Sequence, residues 1–274
     1  MLSEVEVLSS RGSILTMPLG DITDGIVIAE MDGLDPVDAT IVTTNSPNQD
    51  GTQFHNAVSE DRIITLKIEM KPYDSTQTVY SIRKKLYEFF MPKTPVRFTF
   101  RTEEGLDVDI AGRVESFKNV QFAAEPTVDI TVKCFDPDFV DPDIETVTGS
   151  TVSTATTFEI DYDGSVDTSV IFTLTLNRDL SEFTIYTTMP DGSVRNLDFA
   201  LAMLNGDVLV IDTIPGNKTV TQYRGGSVLA YPLYAVSPQS SWIEIQPGTN
   251  VFRVYATGAA IPFTFQYHKR YGGL

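Results

Sequence analysis

Asp107 and Asp109 are a pair of side chains whose type and spacing could do chemistry. Glycoside hydrolysis needs two carboxylates flanking a sugar bond, one of them held protonated. Two residues apart on a strand, this pair shares one face. Any solvent-facing strand has that period, so a polar strand face is the preferred reading. Asp136, Asp138, Asp141, Asp143 and Glu145 gather oxygens of the kind calcium prefers. The run lacks the loop glycine and spacing of an EF-hand, and Pro137 and Pro142 stiffen it, so it reads as solvated linker. His55 and His268 are the only histidines and form no paired-histidine motif. No nucleophile elbow, phosphate-binding loop or dinucleotide fingerprint occurs. No catalytic residue, cofactor or metal is expected.

Single residues give equally plain readings. Cys134 is the only cysteine, which excludes an internal disulfide, and it alternates with core positions as a buried thiol would. Trp242 is the only tryptophan, with Tyr223, Tyr231 and Tyr234 nearby in sequence. An exposed aromatic on a β-sandwich can stack on a sugar, which makes Trp242 a candidate carbohydrate contact. Structural packing at a strand start is the favoured alternative. Arg83, Lys84 and Lys85 form a basic run on a helix, read as a solvated face or a contact with an acidic neighbour.

The bulk numbers fit a globular protein. Of 274 residues, 42% are hydrophobic and 21% charged, enough for two ordinary domains with real cores. No apolar run reaches the length of a membrane-spanning helix. The acidic start MLSEVEVLSSRG has no basic and apolar leader pattern, so synthesis in a reducing cytoplasm is expected. Twenty basic residues against 37 acidic leave a net charge of −17. Such a surface repels nucleic acid and anionic membrane, and suits a path that DNA must cross without sticking.

Period-2 alternation positions these residues. Ile64, Leu66, Ile68 and Met70 fall on one strand face, with Thr65, Lys67 and Glu69 on the other. Val96, Phe98 and Phe100 repeat the pattern, as do Leu106, Val108 and Ile110, and Val128, Ile130, Val132 and Cys134. Glu103-Glu104-Gly105 reads as a hairpin turn. Helical spacing appears once, from about Ser75 to Met91, capped by Asp74 or Ser75 and stopped by Pro92.

The polar stretch from Asp136 to Thr157, with its two prolines, predicts a domain boundary near residue 142. Beyond it, strands are predicted over 170–176, 182–187, 197–204, 207–212, 227–233, 242–246, 250–256 and 261–267. Asn205-Gly206 between apolar runs is a strong hairpin signal. Short strands at regular spacing with Gly, Pro and Asn turns indicate a β-sandwich. The split gives 13 basic and 24 acidic residues before the boundary, net −11, and net −6 after it.

The order of several segments resembles the distal tail protein of long-tailed, siphovirus-type phages. They are Gly25-Ile26-Val27-Ile28 with Met31-Asp32-Gly33-Leu34, Asn48-Gln49-Asp50-Gly51, Asp61 to Leu66, the helix around Ser81 to Leu86, and Pro95-Val96-Arg97-Phe98. Ile110 to Ser116 and Ile130 to Phe139 continue the match. In the second half, Gly206 to Asp212, Lys218-Thr219-Val220 and Gln246 to Asn250 are similar to that family's galectin-like domain. The chain lacks the long second-half insertion with which some relatives hold receptor-binding proteins.

The resemblance implies a mainly β fold. Residues 1–142 would be a ring-forming, tail-tube-like β-barrel or split-barrel domain with one helix, and 143–274 a galectin-like β-sandwich. It implies a homohexameric ring at the virion tail tip, between the tail tube protein and the tail-tip hub protein, near the tape-measure protein and receptor-binding proteins. DNA would pass without being bound, and Asp107 and Asp109 are candidates to face that lumen. The alternative is a host-surface carbohydrate-binding module acting through the second domain.

Overall fold

A computed structural model describes residues 2–22, 24–45, 50–73, 75–120 and 126–274. Asn48 and Gln49 of the resemblance and the candidate cap Asp74 lie outside these residues. The chain divides into two compact units, one of Met1–Pro142 with Tyr271–Leu274, the other of Asp143–Arg270.

In the first unit the strands are β1 (Leu2–Ser9), β2 (Ile14–Pro18), β3 (Ile26–Asp32), β4 (Ala39–Thr44), β5 (Gln53–Ser59) and β6 (Arg62–Met70). After the helix α1 (Val79–Phe90) come β7 (Pro95–Thr102), β8 (Asp107–Asn119) and β9 (Thr127–Cys134), and β10 (Phe139–Ser150) starts here and ends in the second unit. The antiparallel order is β2-β1-β7-β8-β9-β6-β3. Alternating residues from these strands (Val5, Phe98, Val108, Ile130, Leu66) are fully buried, as the period requires. Ile82, Leu86, Phe89 and Phe90 bring α1 into the same core, where it meets β1 and β6. Phe90, Phe98, Phe100 and Phe139 form a chain of ring contacts with centroids 5.6–6.3 Å apart. Burial of each such ring stabilises by about 1.5–3 kcal/mol.

Two expectations fail here. The helix starts at Val79, not near Ser75, because Thr78 is its cap: Thr78 Oγ1 accepts from Ser81 N, while Ser81 Oγ accepts from Thr78 N. The supposed linker is strand over Phe139–Ser150. Its Val- and Thr-rich end, Glu145 to Ser150, suits the pleated backbone although its apolar residues do not alternate cleanly.

The second unit is a sandwich. Its strands are β11 (Phe158–Tyr162), β12 (Thr168–Ser169), β13 (Ile171–Thr175), β14 (Leu180–Thr188), β15 (Val194–Met203), β16 (Asp207–Asp212), β17 (Thr219–Arg224), β18 (Ser227–Ala230), β19 (Glu244–Ile245), β20 (Gly248–Tyr255) and β21 (Pro262–Tyr271). One sheet runs β18-β17-β16-β13-β21 and the other β11-β20-β14-β15. Phe172, Leu209 and Phe265 from the first meet Phe183, Phe199 and Phe252 from the second in one core. Asn205-Gly206 makes the turn between β15 and β16, with Gly206 at φ +89°, the left-handed backbone that favours glycine. The predicted strand 227–233 stops at Ala230, and a 3₁₀ turn, Leu233–Ala235, follows Pro232. Among the described residues no helix is long and apolar enough to cross a membrane.

Candidate functional site

Three strands of the first unit turn a charged face outward. Alternation that buries Val5, Val7, Phe98, Phe100, Val108 and Ile110 leaves Glu4, Glu6, Arg97, Arg101, Asp107 and Asp109 on the opposite side of β1, β7 and β8. The register places Arg101 opposite both Glu4 and Asp107, and Thr99 opposite Asp109. Arg101 accordingly pairs with Glu4, with Glu6 Oε2 at 3.1 Å and with Asp107 Oδ2 at 3.3 Å. Its pKa is raised, chiefly by the hydrogen bond to Glu4. Arg97 Nη1 lies 3.6 Å from Asp109 Oδ2, and Thr99 Oγ1 donates to Asp109 Oδ1 at 2.6 Å. Asp107 and Asp109 thus sit side by side in a lattice with arginines, not across a cleft. Among these six side chains acid is in excess, since four carboxylates meet two guanidinium groups.

The sequence reading did not identify the hairpin of β4 and β5, which forms its own two-stranded sheet. Every residue of both strands is exposed, including Ile41, Val42, Phe54 and Val58, with Phe54 62% accessible. Thr40 Oγ1 donates to Glu60 Oε1 at 2.7 Å, and Thr44 Oγ1 lies 2.6 Å from His55 Nε2. A two-stranded ribbon is marginal by itself, and exposed apolar side chains grouped on one element mark an interaction surface. The β-branched run Ala-Thr-Ile-Val-Thr-Thr was the available signal.

The remaining candidates fall into place. Cys134 is buried, and burial pushes its thiol up to about 11, which favours the protonated thiol at neutral pH. No group of metal-ligating side chains forms among the described residues. Glu145, from the acidic run, instead lies 3.2 Å from Lys269 Nζ, which also meets Asp163 at 3.3 Å. On α1, Lys85 Nζ pairs with Asp24 Oδ2 at 2.5 Å, an acidic neighbour for the basic run. His268 lies within β21, where its carbonyl accepts from Thr168 Oγ1. Trp242 packs half-buried against the second core, with Lys218 Nζ 5.4 Å from its ring centre.

Comparison with known proteins adds the following. A family model for the RIFT-related domain of phage tail proteins matches residues 21–108, and one for the C-terminal domain of the siphovirus-type tail component matches residues 163–271. Among solved structures, the Dit protein (gp 19.1) of phage SPP1, described as a paradigm of the hub adsorption apparatus in phages infecting Gram-positive hosts, superposes with a TM-score of 0.68. Identity is 15%, over 97% of this chain and 98% of that one, so the likeness is one of fold. A chain of the phage P2 baseplate in its activated conformation with calcium gives a TM-score of 0.48 at 9% identity, over 97% and 98% of the two chains. No curated protein matches the chain in sequence.

Proposed function

The chain belongs to the distal tail proteins of siphovirus-type bacteriophages, and on that premise we propose that it closes into a hexameric ring at the tail tip and leaves DNA a passage. It is a structural component of the phage tail, located in the virion. The ring would join the tail tube protein to the tail-tip hub protein, near the tape-measure protein and receptor-binding proteins, after synthesis in the host cytoplasm. Its role would be scaffolding and not catalysis.

The exposed β4–β5 hairpin is the observation that carries this reading. A head-to-tail contact makes a ring when its rotation closes. An apolar ribbon projecting from one subunit can supply that contact by strand pairing or by packing on a neighbour. The first unit's net charge, with its acid-rich β1-β7-β8 face, suits a passage wall, and Asp107 and Asp109 remain the candidates to line it. DNA gains affinity by releasing counterions to basic groups, so an acidic wall lets it slide. Measuring particle mass in solution, with and without hairpin substitutions, tests the ring.

A further inference from the structure

The second unit carries an open groove of about 440 Å³ on the outer face of the β20-β14-β15 sheet. Register sets Tyr255, Thr184 and Asp198 in a row across the three strands, with Glu182 and Ala200 paired alongside. The segment Tyr234 to Pro238 forms the wall, tied to β15 by Ser237 N donating to Asp198 O at 3.0 Å. Tyr234 stands at the rim with its side chain largely exposed (79%).

We propose that this groove binds a neutral saccharide. It rests on neither Trp242, which lies outside the groove, nor the ring. The volume falls within the range of small-ligand sites. Tyr234 and Tyr255 offer aromatic surface for the C–H face of a sugar ring. Asp198 is a fixed acceptor: Oδ1 takes a bond from Thr184 Oγ1 at 2.8 Å, and Oδ2 from Asn196 Nδ2 at 2.6 Å. Each carboxylate oxygen keeps a lone pair for a ligand hydroxyl. Glu182 adds a second carboxylate acceptor, Ser237 and Thr257 add hydroxyls that both donate and accept, and Thr184, whose hydrogen goes to Asp198, adds an acceptor.

The charge pattern selects the ligand. Lysine and arginine are absent from the lining, so a phosphate-bearing or acidic ligand meets only repulsion. A cationic peptide could pair with Asp198 and Glu182 but would leave the hydroxyl donors of Ser237 and Thr257 unused. A polyhydroxy ring uses the carboxylates, the hydroxyls and the aromatic faces together.

Saturation-transfer NMR on the full chain with methyl glycosides of glucose, galactose, N-acetylglucosamine and rhamnose tests this. Transfer to at least one glycoside is expected. Tyr234→Ala should weaken binding about tenfold, the equivalent of ~1.4 kcal/mol, and Glu182→Gln should weaken it less. Tyr234 is exposed enough for its truncation to leave the fold intact, and Tyr231→Ala, an exposed tyrosine outside the groove, should change nothing. No transfer to any glycoside, transfer unaffected by Tyr234→Ala, or transfer only to an oligolysine peptide would overturn the proposal. None of these results depends on whether the chain assembles.

Discussion

The guanidinium of Arg62 donates to the carbonyl oxygen of Gly272 at 2.6 Å, across 210 residues of sequence. The same side chain donates to the carbonyls of Pro137 (2.6 Å), Gly33 (2.6 Å) and Asp35 (2.7 Å), and lies 4.3 Å from the Phe139 ring centre. It is 1% exposed. Burial lowers its pKa, but a guanidinium stays charged in any aqueous range. Four carbonyls therefore solvate one buried cation and fasten the C-terminal residues to the first unit, aided by Leu274 N donating to Leu34 O at 3.0 Å.

Arg62→Lys keeps the charge but loses the planar fork, and should cost about 2 kcal/mol, because a buried cation loses several of the carbonyls that solvate it. Gly33→Ala should be comparably damaging. At φ +92° an added Cβ would lie 2.0 Å from the Ile63 carbonyl oxygen. Chemical denaturation of each variant gives the loss directly. An Arg62→Lys protein as stable as wild type would mean that the carbonyls find water instead.

Stability in acid should hinge partly on Asp207. This fully buried carboxylate accepts from Arg224 Nε at 2.6 Å, Gln222 Nε2 at 2.7 Å and Leu204 N at 3.0 Å. The Arg224 bond leads in lowering its pKa from 3.8 to about 2. A depressed carboxylate stabilises the fold fully above its unfolded pKa and loses that contribution as pH falls through the folded value. Asp207 should therefore contribute on the order of 2 kcal/mol at neutral pH, declining from about pH 4 towards pH 2. Asp207→Asn should flatten that part of the stability-against-pH curve, as read by denaturant titration across the range.

Trp242→Ala should lower the melting temperature by a few degrees, since a half-buried ring gives up less than the 3–5 kcal/mol typical of a fully buried aromatic. Calorimetry reads this, and unchanged melting would mean that the ring contributes nothing to the second core.

Much of this architecture was legible in alternation. The buried faces of β6, β7 and β9 follow from period 2 alone, and the turn at Asn205-Gly206 follows from its dipeptide. The buried Arg62 was not read from the sequence: it shares parity with Ile64, Leu66, Ile68 and Met70, but arginine's usual exposure argues against a core position. The start of α1 was obscured because Ser81 fills the capping-box position where Glu or Gln is the usual signal. The groove was not legible. Its row joins Thr184 and Asp198 of one hairpin to Tyr255 of β20, distant in sequence, and only the register brings the three together.

Salt and DNA give a further check on the proposed conduit. Crowded carboxylates on a ring wall should weaken assembly at low ionic strength and relax as ions screen them, the screening length being about 10 Å at 0.1 M. Duplex DNA should not be retained even at low salt. Tight, salt-sensitive retention in a gel-shift series would contradict an acidic wall.

Particle mass tests the central claim most directly. Light scattering on the full chain, against Phe54→Ser and Ile41→Ser in the exposed hairpin, should show wild type assembling to six times the 30.3 kDa chain mass. Both variants should be smaller yet keep the wild-type circular-dichroism spectrum, because Phe54 and Ile41 are mostly exposed within the single chain. A wild-type chain that stays monomeric at every salt and protein concentration, or variants that assemble as wild type does, would contradict the hairpin-built ring.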